Sequence, residues 1–342
     1  MLPTEIEQVT PEWLSEVLGK EVSAANLDDA HYGTTGRAIM SLQGDDALPA
    51  RVFIKLPPQD PMQREFVVSN GMGKREAQFY RALSGEVPVR VPRCYYSDWD
   101  EQGGEYIMLL EHLEDSGCTF RNVGTSYSQE YLKTWLARFA RLHAAYWDSP
   151  RFRDDLDWVE PPVQHPIAPL LVQQALEKHA GEMPDVFSAM GKLYVEHTDH
   201  VHKLWHEGTP TLIHGDIHDA NTFMDGDEPG MLDWALVARA PGMRDVGYFL
   251  AGTLAVENQL AWYPELLDYY RQQLADAGVV PPSMDELVLQ YRRHAAYIWV
   301  GATVTLAMGD AWQPEAYVRS SLERIHAALD ILDSVSALSV DP

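Results

Sequence analysis

The feature that most constrains this chain is the stretch Leu212-Ile213-His214-Gly215-Asp216-Ile217-His218-Asp219-Ala220-Asn221, followed at short distance by Met231-Leu232-Asp233-Trp234. Two apolar runs each deliver a carboxylate into a polar loop, and four residues separate Asp216 from Asn221. Such a set suits a magnesium ion and a phosphate group. Phosphoryl transfer asks a protein for a group that orients or deprotonates the attacking hydroxyl, for oxygen ligands to Mg²⁺, and for positive charge on the phosphates. Asp216 fits the first role, and Asn221 with Asp233 fits the second. Between them, Asp225-Gly226-Asp227-Glu228-Pro229-Gly230 reads as a turn joining two short strands, which brings Asn221 and Asp233 toward one cation. An Asp-rich turn also raises calcium, but the spacing fails the helix-loop-helix calcium template.

The remaining requirement is a cation. Arg51-Val52-Phe53-Ile54-Lys55-Leu56-Pro57-Pro58 reads as a strand ending at paired prolines, with Lys55 the one charge inside its apolar stretch. Taken alone, Lys55 is a solvated edge residue; buried, it must be paired. The candidate partner is Glu76, in the helical run Gly73 to Arg81. Upstream, residues 31–42 read as strand, turn and strand around Gly33-Thr34-Thr35-Gly36, where backbone N–H groups can approach phosphate oxygens because no Cβ intervenes at glycine. Gly and Thr also build ordinary hairpin turns. Residues 92–99 and 105–111 supply two more strands across a polar turn, completing an antiparallel sheet.

Helical spacing governs the rest. Residues 4–20 form a short amphipathic helix with a Thr10-Pro11-Glu12 start signal, and residues 128–147 form a longer one capped by Ser128. His143 lies on the apolar face of the latter, as a core residue rather than a ligand. Helical spacing occurs twice between Pro169 and Glu207, with a break near Met183-Pro184, and again over 245–275, 284–307 and 314–337. Strands first and helices afterwards predict an α+β molecule.

The pattern H-G-D-x-x-x-x-N, an apolar strand and D-W resembles the catalytic and metal-binding loops of the aminoglycoside phosphotransferase and choline kinase superfamily, relatives of protein kinases. With Leu232-Asp233-Trp234, the run Arg244-Asp245-Val246-Gly247-Tyr248-Phe249-Leu250 is similar to the ecdysteroid-kinase-like branch. The resemblance runs from about Ala30 to the last helices. It implies a two-lobed protein-kinase-like fold: a small N-terminal lobe with an antiparallel sheet, residues 1–111, and a larger, mostly helical C-terminal lobe, residues 112–342, with ATP in the crevice. It assigns the turn at Gly33, Thr34, Thr35 and Gly36 to the nucleotide phosphates, although the fuller G-x-G-x-x-G of protein kinases is missing. It assigns Lys55 to the α- and β-phosphates, Glu76 to holding Lys55, and the Glu111 carbonyl and Leu113 N–H to the base. His218 falls where protein kinases usually place a Lys on the γ-phosphate, as a hydrogen-bond donor to the transferring group, a positioner of Asp216, or a packing residue. Trp234 and Tyr248 are candidates for an acceptor wall, and Asp245 is expected to tie loops together rather than act in catalysis.

The resemblance implies an ATP- and Mg²⁺-dependent kinase whose acceptor is a small-molecule hydroxyl, because the segment after Asp233 lacks the A-P-E layout of protein kinases. A sterol-like alcohol, an antibiotic and an amine alcohol all remain open. The alternative is a nucleotide-binding pseudokinase serving as a regulatory or scaffold module, against which the full set of Lys55, Glu76, Asp216, Asn221 and Asp233 argues. Composition narrows the partners further. A formal net charge of −25 disfavours nucleic acid and anionic membrane, which demand clustered Lys and Arg. The same acidity confers solubility and could steer a cationic substrate. Cys94 and Cys118 are too few for a disulfide framework, and no apolar run reaches membrane-spanning length, so a reducing cytoplasm is expected.

Overall fold

Apolar Ala38, Met40 and Leu42 alternate with half-exposed or exposed neighbours, so the segment Gly36–Gly44 presents one face to a core and forms a strand. The structure, a computed structural model, describes residues 2–33, 35–121, 127–310 and 312–340; Thr34 lies outside them. Packing divides the chain into two compact units, Met1–Phe120 with Asn221–Val237 and Arg121–Ala220 with Ala238–Pro342. The division drawn from sequence at 111/112 differs from this packing at residues 112–120 and 221–237, because a linear boundary cannot express chain that returns.

The first unit opens with helix α1 (Pro11–Leu18) and strands β1 (Val22–Tyr32), β2 (Gly36–Gly44) and β3 (Arg51–Leu56), followed by helices α2 (Pro61–Ser69) and α3 (Met72–Ala82). Strands β4 (Cys94–Trp99) and β5 (Tyr106–Glu111) complete an antiparallel sheet of order β1-β2-β3-β5-β4. The helix expected over 4–20 is split. A 3₁₀ turn at Ile6–Gln8 precedes α1, which starts at Pro11 because Thr10 caps it by accepting from the Trp13 N–H at 3.3 Å. Val52 and Ile54 on β3 and Ile107 and Leu109 on β5 are buried together with Leu14 of α1, each worth roughly 1.5–3 kcal/mol relative to exposure.

The second unit begins with α4 (Gln129–Ala145), α5 (Ile167–His179), α6 (Asp185–Glu196) and α7 (Thr198–Trp205), then strand β6 (Pro210–Ile213). Ser128 caps α4 as expected, accepting from the Tyr131 N–H at 3.2 Å. The two helices expected between 169 and 207 are three, with an additional break at His197. The chain then returns to the first unit as a hairpin, β7 (Thr222–Asp225) and β8 (Glu228–Met231), whose turn contains Gly226 at φ +60°. It resumes the second unit as β9 (Ala238–Pro241), paired antiparallel to β6, and helices α8 (Met243–Thr253), α9 (Gln259–Asp276), α10 (Met284–Met308), α11 (Glu315–Ile331) and α12 (Ser334–Leu338). Ser283 and Glu286 form a capping box that starts α10. Trp135, Trp205, Trp299, Phe139 and Phe187 are fully buried in this core. No helix among the described residues is long and apolar enough to cross a membrane.

Helix α3 carries Glu76, and its approach to the sheet decides where that carboxylate can reach. It lies close to β5 at Gly73, where an added Cβ would sit 2.0 Å from the Tyr106 ring. Gly73→Ala is therefore expected to destabilise the protein by about 1–3 kcal/mol, despite the better helix propensity of alanine, as read from the urea unfolding midpoint.

Candidate active site

In the first unit the Lys55 ammonium, borne on β3, is buried and donates to Glu76 Oε2 at 2.5 Å and to Asp233 Oδ1 at 3.1 Å. The strand period puts Lys55 on the face that α3 covers, so the expected partner Glu76 is the actual one. Burial favours the neutral form of each partner. For Lys55 that pull is overcome by Asp233 and Glu76, which raise its pKa, whereas burial still pushes the Glu76 carboxyl up. Asp233 owes its placement to an uncommon backbone state, φ +63° and ψ +67°, directly after the hairpin. Aspartate tolerates that left-handed region better than most side chains. Its second oxygen faces Arg37 Nη2 at 3.6 Å.

The hairpin also sets Asn221. Thr222 pairs with Met231, and the Leu232 N–H donates to the Asn221 carbonyl at 3.0 Å, so Asn221 and Asp233 flank the base of one hairpin. A carboxylate and an amide oxygen make a hard-oxygen pair. Among the described residues no group of three or more His, Cys, Asp or Glu is placed to hold a metal. The donor chemistry of such a pair suits a hard cation such as Mg²⁺.

In the second unit, strand β6 delivers His214-Gly215-Asp216. Gly215 has φ +84°, a conformation that favours glycine, and this turns the chain sharply ahead of Asp216. The turn is held by Asp245 on α8, fully buried, whose two oxygens accept the backbone N–H groups of His214 at 2.7 Å and Gly215 at 2.9 Å. His143 Nε2 lies 3.4 Å from the same carboxylate, and its Nδ1 lies 2.8 Å from the Tyr270 hydroxyl. Asp245 thus ties loops together, and His143 is a buried, hydrogen-bonded core residue. Gly242 leaves room for this arrangement, since a Cβ there would lie 2.6 Å from His143 Nδ1.

Asp216 itself keeps a side chain 33% exposed, with His218 Nε2 at 3.6 Å from Oδ2, an ion-pair distance. The Tyr248 hydroxyl donates to Oδ1 at 2.8 Å. Tyr248 therefore touches the proposed base directly. Its ring packs 5.8 Å from that of Tyr297, whose hydroxyl lies 3.5 Å from the Gly215 carbonyl oxygen. Trp234, the other expected acceptor wall, is corrected: it is fully buried in the first unit, stacked on Phe79 with ring centroids 4.0 Å apart. Its indole is core because the turn after Asp233 points it inward against α3.

Glu111 ends β5, and its side chain grips Arg90 through two hydrogen bonds of 2.8 and 2.9 Å. Arg90 Nε also donates to Asp225 in the hairpin turn at 2.8 Å. Leu113 is buried with Cys118 and Phe223. Of the turn assigned to the phosphates, Gly33 has open space where a Cβ would stand, Thr35 is buried, and Gly36 lies against the backbone of β3, its virtual Cβ 3.2 Å from the Pro57 carbonyl oxygen. Sequence reasoning missed Arg37 and Arg90. Both owe their positions to cross-strand register and tertiary pairing, for which no local spacing exists.

Burial by itself pushes the Asp216 carboxyl up, but the charge of the facing His218, the Tyr248 hydroxyl and the charge of His214 hold it down, to about 2. A carboxyl depressed in the folded state contributes stability above its unfolded value, and that contribution is lost as pH falls through the folded value. Tyr248→Phe keeps the ring and removes the donor, so the Asp216 pKa is expected to move from about 2 toward the ordinary aspartate value, and the loss of stability on acidification to be smaller and to be complete at a higher pH. Carboxyl carbon NMR across an acid titration checks the first, and melting temperature against pH the second.

Comparison with known proteins identifies the family. Residues 48–287 match the phosphotransferase enzyme family, APH. No curated protein matches the sequence. A protein from Ralstonia eutropha JMP134, provisionally named an aminoglycoside phosphotransferase, is 14% identical and superposes with a TM-score of 0.54, covering 96% of this chain and 98% of its own. The GDP complex of wild-type aminoglycoside 2'-phosphotransferase-IIIa is 15% identical with a TM-score of 0.52, at 93% and 96% coverage. Choline kinase from Cryptosporidium parvum Iowa II is 12% identical with a TM-score of 0.50, at 90% and 88% coverage. At such identities the structural likeness is one of fold, a small antiparallel-sheet lobe and a larger helical lobe. The sequence match extends over more than half of the residues, and on that ground the chain belongs to the phosphotransferase enzyme family.

Proposed function

We propose that the protein moves the γ-phosphoryl group of ATP, with Mg²⁺, to a hydroxyl of a small molecule. The observation that carries this reading is the Asp216 carboxylate, partly exposed and ionised, fixed by Tyr248 on a loop whose amides are anchored by Asp245. A group so held can orient an acceptor hydroxyl and take its proton as the phosphoryl group departs. His218 stands beside it as a donor toward the transferring group or as a positioner of the base. Lys55, fixed by Glu76, supplies charge on the nucleotide phosphates, and the Glu111 carbonyl and Leu113 N–H read the base. Asn221 and Asp233 hold Mg²⁺, which when bound neutralises charge on the phosphate oxygens.

The nucleotide reading is supported by the GDP-bound relative of the same fold, which also makes GTP a donor worth assaying. Small hydroxyl acceptors fit the named activities of the relatives, and a choline-like amine alcohol or an antibiotic stands beside the sterol-like alcohol that the ecdysteroid-kinase-like motif suggests. The pseudokinase alternative has no observation in its favour.

The test is phosphoryl transfer from Mg²⁺-ATP and Mg²⁺-GTP across a library of sterols, amine alcohols and antibiotics. Asp216→Asn is expected to lower transfer by roughly 100- to 10,000-fold while nucleotide affinity stays near wild type, because the residue faces the acceptor. Transfer at the normal rate by Asp216→Asn would overturn the assignment.

A further inference from the structure

We infer that Arg37 is a second phosphate-binding cation, acting beside Lys55 on the phosphates of a nucleoside di- or triphosphate. The inference rests on the proposed nucleotide binding and adds to it a residue on β2 that the sequence motifs do not mark. Arg37 and Lys55 are direct partners in the β2–β3 register, so their side chains leave the same face of the sheet side by side. Both reach one carboxylate, Lys55 Nζ at 3.1 Å from Asp233 Oδ1 and Arg37 Nη2 at 3.6 Å from Oδ2.

Their environments divide the work. An ammonium has three donors, and Lys55 already commits two of them, to Glu76 and Asp233, in a buried setting. It offers an incoming phosphate a fixed charge and little hydrogen-bonding capacity. Arg37 is 47% exposed, and its fork is oriented by Nε donating to Thr35 Oγ1 at 3.1 Å. The pairing with Asp233 is long and solvated, so exchanging it for a phosphate oxygen costs little. A planar fork suits a phosphate, which it can grip with two parallel bonds.

The turn leading into β2 supplies the complementary reason. A backbone cradle for phosphate depends on glycines that let successive N–H groups converge, typically with a left-handed residue in the nest. Neither Gly33 nor Gly36 has a positive φ, and Gly36 is small because β3 lies against it. A side-chain cation one residue past the turn adds to whatever grip the backbone supplies. A purely structural Arg37 would instead only neutralise Asp233 and be indifferent to the ligand's phosphates.

The two roles separate by calorimetry on the full chain in Mg²⁺ buffer, with ADP, GDP, adenosine and guanosine as probes. Arg37→Gln is expected to weaken the bound diphosphate by roughly ten- to a hundredfold, as losing a charge-assisted hydrogen-bonding group should, while nucleoside affinity stays within about twofold. Its melting temperature should match wild type, because the side chain is half exposed. Diphosphate affinity within about twofold of wild type overturns the inference, as does a parallel loss for diphosphate and nucleoside. If Arg37→Gln alone behaves like wild type while Lys55→Met loses diphosphate affinity, the inference fails and the nucleotide reading stands. If wild type binds neither ADP nor GDP, the nucleotide reading fails first and takes the inference with it.

Discussion

The buried ammonium of Lys55 sets the terms for the first unit. Taking a charge of that kind out of water costs several kcal/mol, and only close partners with good geometry offset it. Glu76 and Asp233 are those partners, and each imposes a demand on the backbone that carries it. Glu76 can reach only if α3 lies against β5, which Gly73 permits under the Tyr106 ring. Asp233 can reach only if the chain after the hairpin turns into the left-handed region, which also drives Trp234 into the core against Phe79. The stacking, the close helix approach and the strained backbone are all consequences of placing one cation where water is excluded.

The second unit inverts the signs. There a buried anion, Asp245, is satisfied chiefly by backbone N–H groups, and the amides it draws in belong to the two residues before Asp216. Partial charges of peptide groups are fixed in direction, so the carboxylate on α8 sets the orientation of the loop. His143 and Tyr270 extend that network into α4 and α9.

The features legible in the sequence are those whose determinants are local. Gly215, Asp216, Asn221 and Asp233 are fixed by a turn, a strand and a hairpin, each written in consecutive residues, and Lys55 with Glu76 came from the rule that a buried Lys needs a partner. β1 was visible only at its end, because Val22-Ser23-Ala24-Ala25-Asn26-Leu27-Asp28-Asp29 does not alternate cleanly. As an edge strand it needs no second buried face, and its charges discourage further pairing. Trp234 read as a pocket wall because adjacency to Asp233 says nothing about which way an indole points. Arg37 and Arg90 were illegible for a stricter reason: their partners lie across a sheet register or more than a hundred residues away, and one sequence without relatives carries no trace of such pairings.

The left-handed backbone at Asp233 has a consequence for how this chain can change. Glycine occupies that conformation without steric cost, but it would remove a carboxylate that holds Lys55. At this one position relief of the backbone would leave the buried Lys55 with Glu76 as its one remaining carboxylate partner among the described residues, a larger cost than the turn itself. Residue 233 is therefore expected to stay an acid for as long as Lys55 stays buried, and a search for heat resistance would find no gain in relaxing this turn.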